Sequence, residues 1–125
     1  VGRMEKERKI INKIIEYQNY LKKEYGFDWD SVYGVVDKLE EEIKELRDAL
    51  KIEDKNKIEE EFGDILITVL NISRFLNLDI VETLKKSFDK FKNRFEKMEK
   101  IAEKRKIDLK KLKINELDSL WEESK

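Results

Sequence analysis

Three features of the sequence predict an all-α fold. No segment alternates apolar and polar residues as a strand does, and apolar residues recur instead at steps of three and four over long stretches. Breakers are also sparse, with no Pro and only four Gly in 125 residues. Long helices joined by short connections pack side by side and antiparallel, so the expected architecture is an antiparallel helical bundle.

Five helices follow in order. The first covers about residues 4–24, carries Ile10, Ile11, Ile14, Tyr17 and Leu21 on one side, and stops at Gly26. Phe27, Asp28, Trp29 and Asp30 form a loop. The second covers about residues 31–50, with a stripe of Val35, Val36, Leu39, Ile43, Leu46 and Leu50. The third covers about residues 54–76. Residues 65–70 (ILITVL) are apolar on almost every face, so this should be the most buried helix. The fourth starts at Asp79, where Asp79 and Glu82 fit a capping box, and runs along Leu84, Phe88, Phe91, Phe95, Met98 and Ala102. A short fifth helix covers about residues 115–123.

Composition excludes several chemistries. There is no Cys and no His, which removes disulfides, thiol nucleophiles, zinc-thiolate and zinc-imidazole sites, and any His-based triad. A bound metal must be held by oxygen, which points to Mg²⁺, Mn²⁺ or Ca²⁺. Lys plus Arg number 28 and Asp plus Glu 29, a balance unlike the basic excess of a nucleic-acid binder. No apolar run reaches the length of a membrane span and the N-terminus is charged, so no membrane partner and a cytoplasmic location are expected. One domain over residues 1–125 suits the length. A start at Val1 rather than Met fits one domain of a longer chain.

The chemistry-bearing pattern is acidic. Glu42 with Glu45 on the second helix, and Glu61 with Asp64 on the third, are pairs three residues apart and therefore share a helix face. Two such pairs on adjacent antiparallel helices bring four carboxylates to one small volume, an arrangement that calls for a cation between them. With Leu39 at the centre of the stripe, Glu42 lies about 60° away, Glu45 about 120° away, and Glu41 on the opposite side. Gly63 sits inside a helix beside the acids, which suggests a close approach by another group, helix packing included. The competing reading is a solvated Glu-rich surface, of which this chain has many.

A family resemblance decides between the two. Residues 27–46 (FDWDSVYGVVDKLEEEIKEL) and 57–66 (KIEEEFGDIL) resemble the first and second signatures of the MazG family. Residues 71–76 (NISRFL), 90–95 (KFKNRF) and the Trp-containing end, 117–125 (LDSLWEESK), resemble later family motifs in the same order. The resemblance implies a Mg²⁺-dependent nucleoside triphosphate pyrophosphohydrolase, with Mn²⁺ as the alternative metal, cutting an NTP into NMP and pyrophosphate between the α and β phosphates. It implies catalytic metal ligation by Glu42, Glu45, Glu61 and Asp64. Phosphate or nucleotide contacts fall to Lys38, Lys57, Lys90, Arg94, Trp121 and Lys125. It further implies a homodimer, and a layout like the C-terminal half of two-domain members.

One departure stands out: Phe88 occupies a position where the family usually has Asn, and on the fourth helix it should extend the apolar core. Without the family, Lys90 and Arg94 would read as surface charges and Trp121 as a packing anchor. Two other functions remain open. One is a narrower relative acting on dUTP, dCTP or phosphoribosyl-ATP. The other is a non-catalytic helical interaction module that keeps the fold.

Overall fold

The computed structural model describes residues 3–125, so Val1 and Gly2 lie outside it. The described residues form five α-helices and no strands, as the sequence predicts. They divide near Ile80 into two compact units.

In the first unit, α1 (Arg3–Tyr25) ends where Gly26 takes φ +63°, a left-handed turn open to glycine at no steric cost. The α2 helix (Val32–Lys51) and α3 (Lys55–Phe75) form a tight hairpin. Asp54 caps α3 by accepting the Lys57 N–H at 3.2 Å. The buried residues of α2, Val35, Glu42 and Ala49, recur every seven positions and so share one face. Those of α3 include Glu61 and Thr68, again seven apart. A core line of each helix thus contains a carboxylate.

α1 is tied to α3 by Gln18, which donates to the Ile67 carbonyl at 3.4 Å, and by the Arg74 guanidinium, which donates to the Asn19 oxygen at 3.1 Å. α3 closes with Asn77 at φ 55°. The Leu78 N–H reaches back to the Ser73 carbonyl at 3.0 Å, a bond pattern that satisfies the free carbonyls of a helix end.

The apolar pattern placed the helices better than it placed their buried faces. On α3, Phe62, Leu66 and Ile67 are exposed, because α1 and α2 cover only part of its girth. On α2, Val36, Ile43 and Leu50 are exposed while Glu42 and Ala49 are buried. The packed face is therefore turned slightly from the one that hydrophobicity alone selects.

The second unit holds α4 (Ile80–Lys104), a short 3₁₀ turn (Leu109–Lys111) that the periodicity did not anticipate, and α5 (Ile114–Glu123). Lys106 at φ 57° ends α4, with the Ile107 N–H donating to the Ala102 carbonyl at 2.8 Å. At the start of α5, the Glu116 carboxylate accepts the Lys113 N–H at 3.1 Å. Arg105 grips Glu123 with two bonds, at 3.0 and 2.7 Å, and fixes α5 against the end of α4. Met98, Ala102 and Leu120 are buried.

The rest of the α4 stripe departs from expectation. Leu84, Phe88 and Phe91 are largely exposed, Phe88 by 62%, and Phe95 is also open. Ten residues of α5 are too few to cover a helix of 25. Phe88 therefore does not extend a core within the described residues. Among the described residues, no helix is long and apolar enough to cross a membrane.

Candidate metal centre

Glu42 and Glu61 sit at core positions of the α2–α3 hairpin, 4% and 3% exposed. Burial of a carboxylate is costly unless it is paired and hydrogen-bonded. Each is half satisfied by the lysine one turn before it: Lys38 Nζ lies 2.9 Å from Glu42 Oε1, and Lys57 Nζ 3.3 Å from Glu61 Oε1. The second oxygens, Glu42 Oε2 and Glu61 Oε2, are buried with no hydrogen-bond partner. Glu45 joins them, so that Glu42, Glu45 and Glu61 each place a carboxylate oxygen within 4.8 Å of the others. Glu60, Glu61 and Asp64 form a second such group, with Glu61 common to both.

Electrostatics bind the two groups together. Hydrogen bonding to Glu61, and then the charges of Glu42 and Glu61, push the Glu45 carboxyl up from its ordinary value. Desolvation, followed by the charges of Glu42, Glu61 and Glu60, pushes Asp64 up. Burial would raise Glu61 too, but hydrogen bonds from Glu45 and Lys57 outweigh it and hold Glu61 low. Hydrogen bonds to Glu42 and Glu61 raise Lys38 and Lys57 respectively, keeping both charged. Carboxylates gathered this closely repel one another, and a divalent cation between them would relieve that repulsion. The donors are hard carboxylate oxygens, two of them buried and unpartnered, and this set fits Mg²⁺ or Mn²⁺.

Sequence reasoning selected Glu42 over Glu41 by helical phase, and Glu41 is indeed exposed. It passed over Glu60, although Glu60 and Asp64 are four apart and share a face. Gly63 was open to two explanations. A Cβ there would meet nothing within 4 Å, so helix packing does not require the glycine.

The remaining candidates lie in the second unit. Lys90, Arg94 and Lys125 line one cavity of about 690 Å³, together with Lys86 and Lys97. Arg94 is largely spent there: its Nε and Nη2 donate to the Trp121 carbonyl at 3.2 and 2.7 Å, and its guanidinium lies 3.9 Å from the Trp121 ring centre. Phe91 flanks the same indole at 5.0 Å. These contacts hold Trp121 against α4. Lys125 pairs with Glu122 at 2.8 Å.

An all-α hairpin with buried, lysine-paired acids defines a class of helical protein equipped to hold a divalent cation. The family model described as the MazG nucleotide pyrophosphohydrolase domain matches residues 33–99, which span the acids, and the chain belongs to that family. It is 48% identical over 100 residues to the nucleoside triphosphate pyrophosphohydrolase/pyrophosphatase MazG of Thermotoga maritima, covering 80% of this chain and 38% of that protein. It is 33% identical over 102 residues to a nucleoside triphosphate pyrophosphohydrolase of Escherichia coli, covering 80% of this chain and 39% of the relative. An uncharacterized protein, YabN, of Bacillus subtilis is 34% identical over 71 residues, 57% of this chain and 14% of its own length. The chain thus spans well under half of the relatives it matches.

Proposed function

We propose that this chain is a divalent-metal-dependent nucleoside triphosphate pyrophosphohydrolase, releasing NMP and pyrophosphate. The observation that carries the reading is the pair of buried, unpartnered oxygens, Glu42 Oε2 and Glu61 Oε2, inside a cluster of acids. The Thermotoga and Escherichia relatives, both nucleoside triphosphate pyrophosphohydrolases, supply the reaction.

Glu42, Glu45, Glu61 and Asp64 would hold Mg²⁺, with Mn²⁺ as a substitute. The bound cation supplies positive charge toward polyphosphate, which the acids alone would repel. Lys38 and Lys57 hold one oxygen of Glu42 and of Glu61, leaving the other for ligation. One of the acids, or Glu60 beside them, accepts the proton of the attacking water. Lys90 and Lys125 are assigned to phosphate contact from the basic cavity of the second unit.

A second copy of the chain is the proposed occupant of the exposed Leu84, Phe88, Phe91 and Phe95 face, since bare aromatic stripes of this kind mark interaction surfaces. A homodimer, in the cytoplasm and without nucleic-acid partners, completes the reading. The test is pyrophosphate release, with product identification, from ribo- and deoxynucleoside triphosphates with and without Mg²⁺. Mg²⁺-dependent formation of NMP is expected. A folded protein that releases no pyrophosphate from any of them would favour the interaction-module alternative.

A further inference from the structure

α4 carries a second unusual face, on the side away from its aromatic stripe. Lys86, Lys90, Lys97, Lys100 and Lys104 are all exposed. At about 100° per residue, each lies within about 40° of Lys86, so the five share one face of the helix. Leu84, Phe88, Phe91 and Phe95 lie within about 40° of the opposite direction. Between Lys86 and Lys104 no acid falls on the lysine face. Asp89, Glu96, Glu99 and Glu103 all lie to one flank of it, about 60° to 140° round. From residue 86 to residue 104 the stripe runs about 27 Å along the axis.

These lysines are uncompensated. Among the described residues, Lys38, Lys57, Lys85 and Lys125 close ion pairs with acids, and none of the five does. Like charges four apart destabilise a helix, and both Lys86 with Lys90 and Lys100 with Lys104 stand at that spacing. A bound anion relieves the repulsion. One end of the stripe is walled: Lys86, Lys90 and Lys97 line the cavity of about 690 Å³ together with Asn93 and Lys125.

The chemistry of the face selects among polyanions. It carries no aromatic ring on which bases could stack, and Arg94 beside it is bound to the Trp121 carbonyl. It carries no apolar side chain to enter a lipid surface. Ammonium groups on flexible stems are point charges without fixed geometry, suited to a flexible, unbranched chain charged at every unit. We infer that this face binds linear inorganic polyphosphate longer than a triphosphate, with Lys97, Lys100 and Lys104 extending a phosphate track that begins at Lys86 and Lys90. The binding rests on the lysine face alone. Its competition with substrate rests on the nucleotide reading above, because both use Lys90.

The test is calorimetric titration with tripolyphosphate and with a linear polyphosphate long enough to span the stripe. EDTA is present, so that no metal bridges a phosphate chain to the acids. Wild type should bind the long chain about tenfold tighter than tripolyphosphate, the effect of three contacts the size of exposed ion pairs. The difference should shrink as salt rises. Lys97→Gln/Lys100→Gln/Lys104→Gln should erase it, with tripolyphosphate binding, helical content by circular dichroism and pyrophosphate release from NTP kept at the wild-type level. Lys92→Gln/Lys110→Gln/Lys111→Gln removes the same charge off the stripe and should keep the difference. At fixed free Mg²⁺, long polyphosphate should raise the KM of wild type for NTP and leave kcat unchanged. Equal affinity for short and long chains, or equal loss in both triple variants, overturns the inference. So does a poly-glutamate or an oligodeoxynucleotide of the same charge that binds as tightly. Length-dependent binding by a protein that turns over no triphosphate upholds the stripe and overturns the catalytic reading. Turnover without length-dependent binding does the reverse.

Discussion

The α2–α3 hairpin and α4 break the same rule in opposite directions. The hairpin buries carboxylates at positions where its heptad spacing calls for apolar side chains. α4 exposes Leu84, Phe88 and Phe91 where its spacing calls for burial. Farther along α4 the expected pattern returns, with Met98 and Ala102 buried, as is Leu120 of α5. A buried polar group and an exposed apolar patch are the informative departures, since each costs stability that only a ligand or a partner recovers. The comparison teaches that the two departures call for different groups: the hairpin fits the proposed cation, and α4 fits the proposed second copy of the chain.

The largest expected effect breaks the hairpin half of the comparison. Glu42→Ala or Asp64→Ala should lower Mg²⁺-dependent pyrophosphate release by about a hundredfold or more, with helical content intact by circular dichroism. Near-wild-type rates in both would remove the metal assignment. Next, Mg²⁺ should raise the melting temperature of the wild type, by an amount that grows with its concentration. Glu42→Leu should abolish that rise. The same variant should melt no lower than wild type in EDTA, because a buried, half-satisfied charge is replaced by an apolar side chain of similar size.

A third variant sharpens the α4 half. Phe88→Asp should convert dimer to monomer in sedimentation equilibrium while the Mg²⁺-induced melting shift persists. Gly63→Ala carries a smaller effect. Its Cβ meets open space, so the variant should stabilise the metal-free protein by about 1 kcal/mol through helix propensity. Loss of activity in that more stable variant would show that substrate passes close to residue 63.

The smallest effect concerns the exposed pair of the second unit. The hydrogen bonds of Arg105 hold the Glu123 carboxyl below its ordinary value. A depressed carboxylate stabilises the fold above the ordinary carboxylate range, and that contribution is lost as pH falls through the depressed value. Glu123→Gln should therefore flatten the acid limb of the melting curve slightly and leave neutral-pH stability almost unchanged, as expected for a solvent-screened pair.

Helix number and order were legible because 3.6-residue periodicity is a local property, and Gly26 and Asp54 are local stop and start signals. Glu42, Glu45, Glu61 and Asp64 were singled out because spacing and a family resemblance agreed on them. The buried faces were less legible. Val36, Ile43 and Leu66 are apolar yet exposed, because which face packs depends on how neighbouring helices cross. The 3₁₀ turn at Leu109–Lys111 is too short to show a period. The Arg74–Asp28 bond joins residues 46 positions apart, and no local pattern encodes it. The bonds from Arg94 to the Trp121 carbonyl are likewise a long-range contact that sequence does not display.

Mn²⁺ titration followed by electron paramagnetic resonance tests the central claim most directly, because free Mn²⁺ gives a signal that binding removes. The account predicts that wild-type protein depletes the free signal, that Mg²⁺ restores it by competition, and that Glu61→Gln, which removes the acid common to both clusters, loses the binding. Equal depletion by wild type and Glu61→Gln, or none by wild type, would contradict a metal centre in the α2–α3 hairpin.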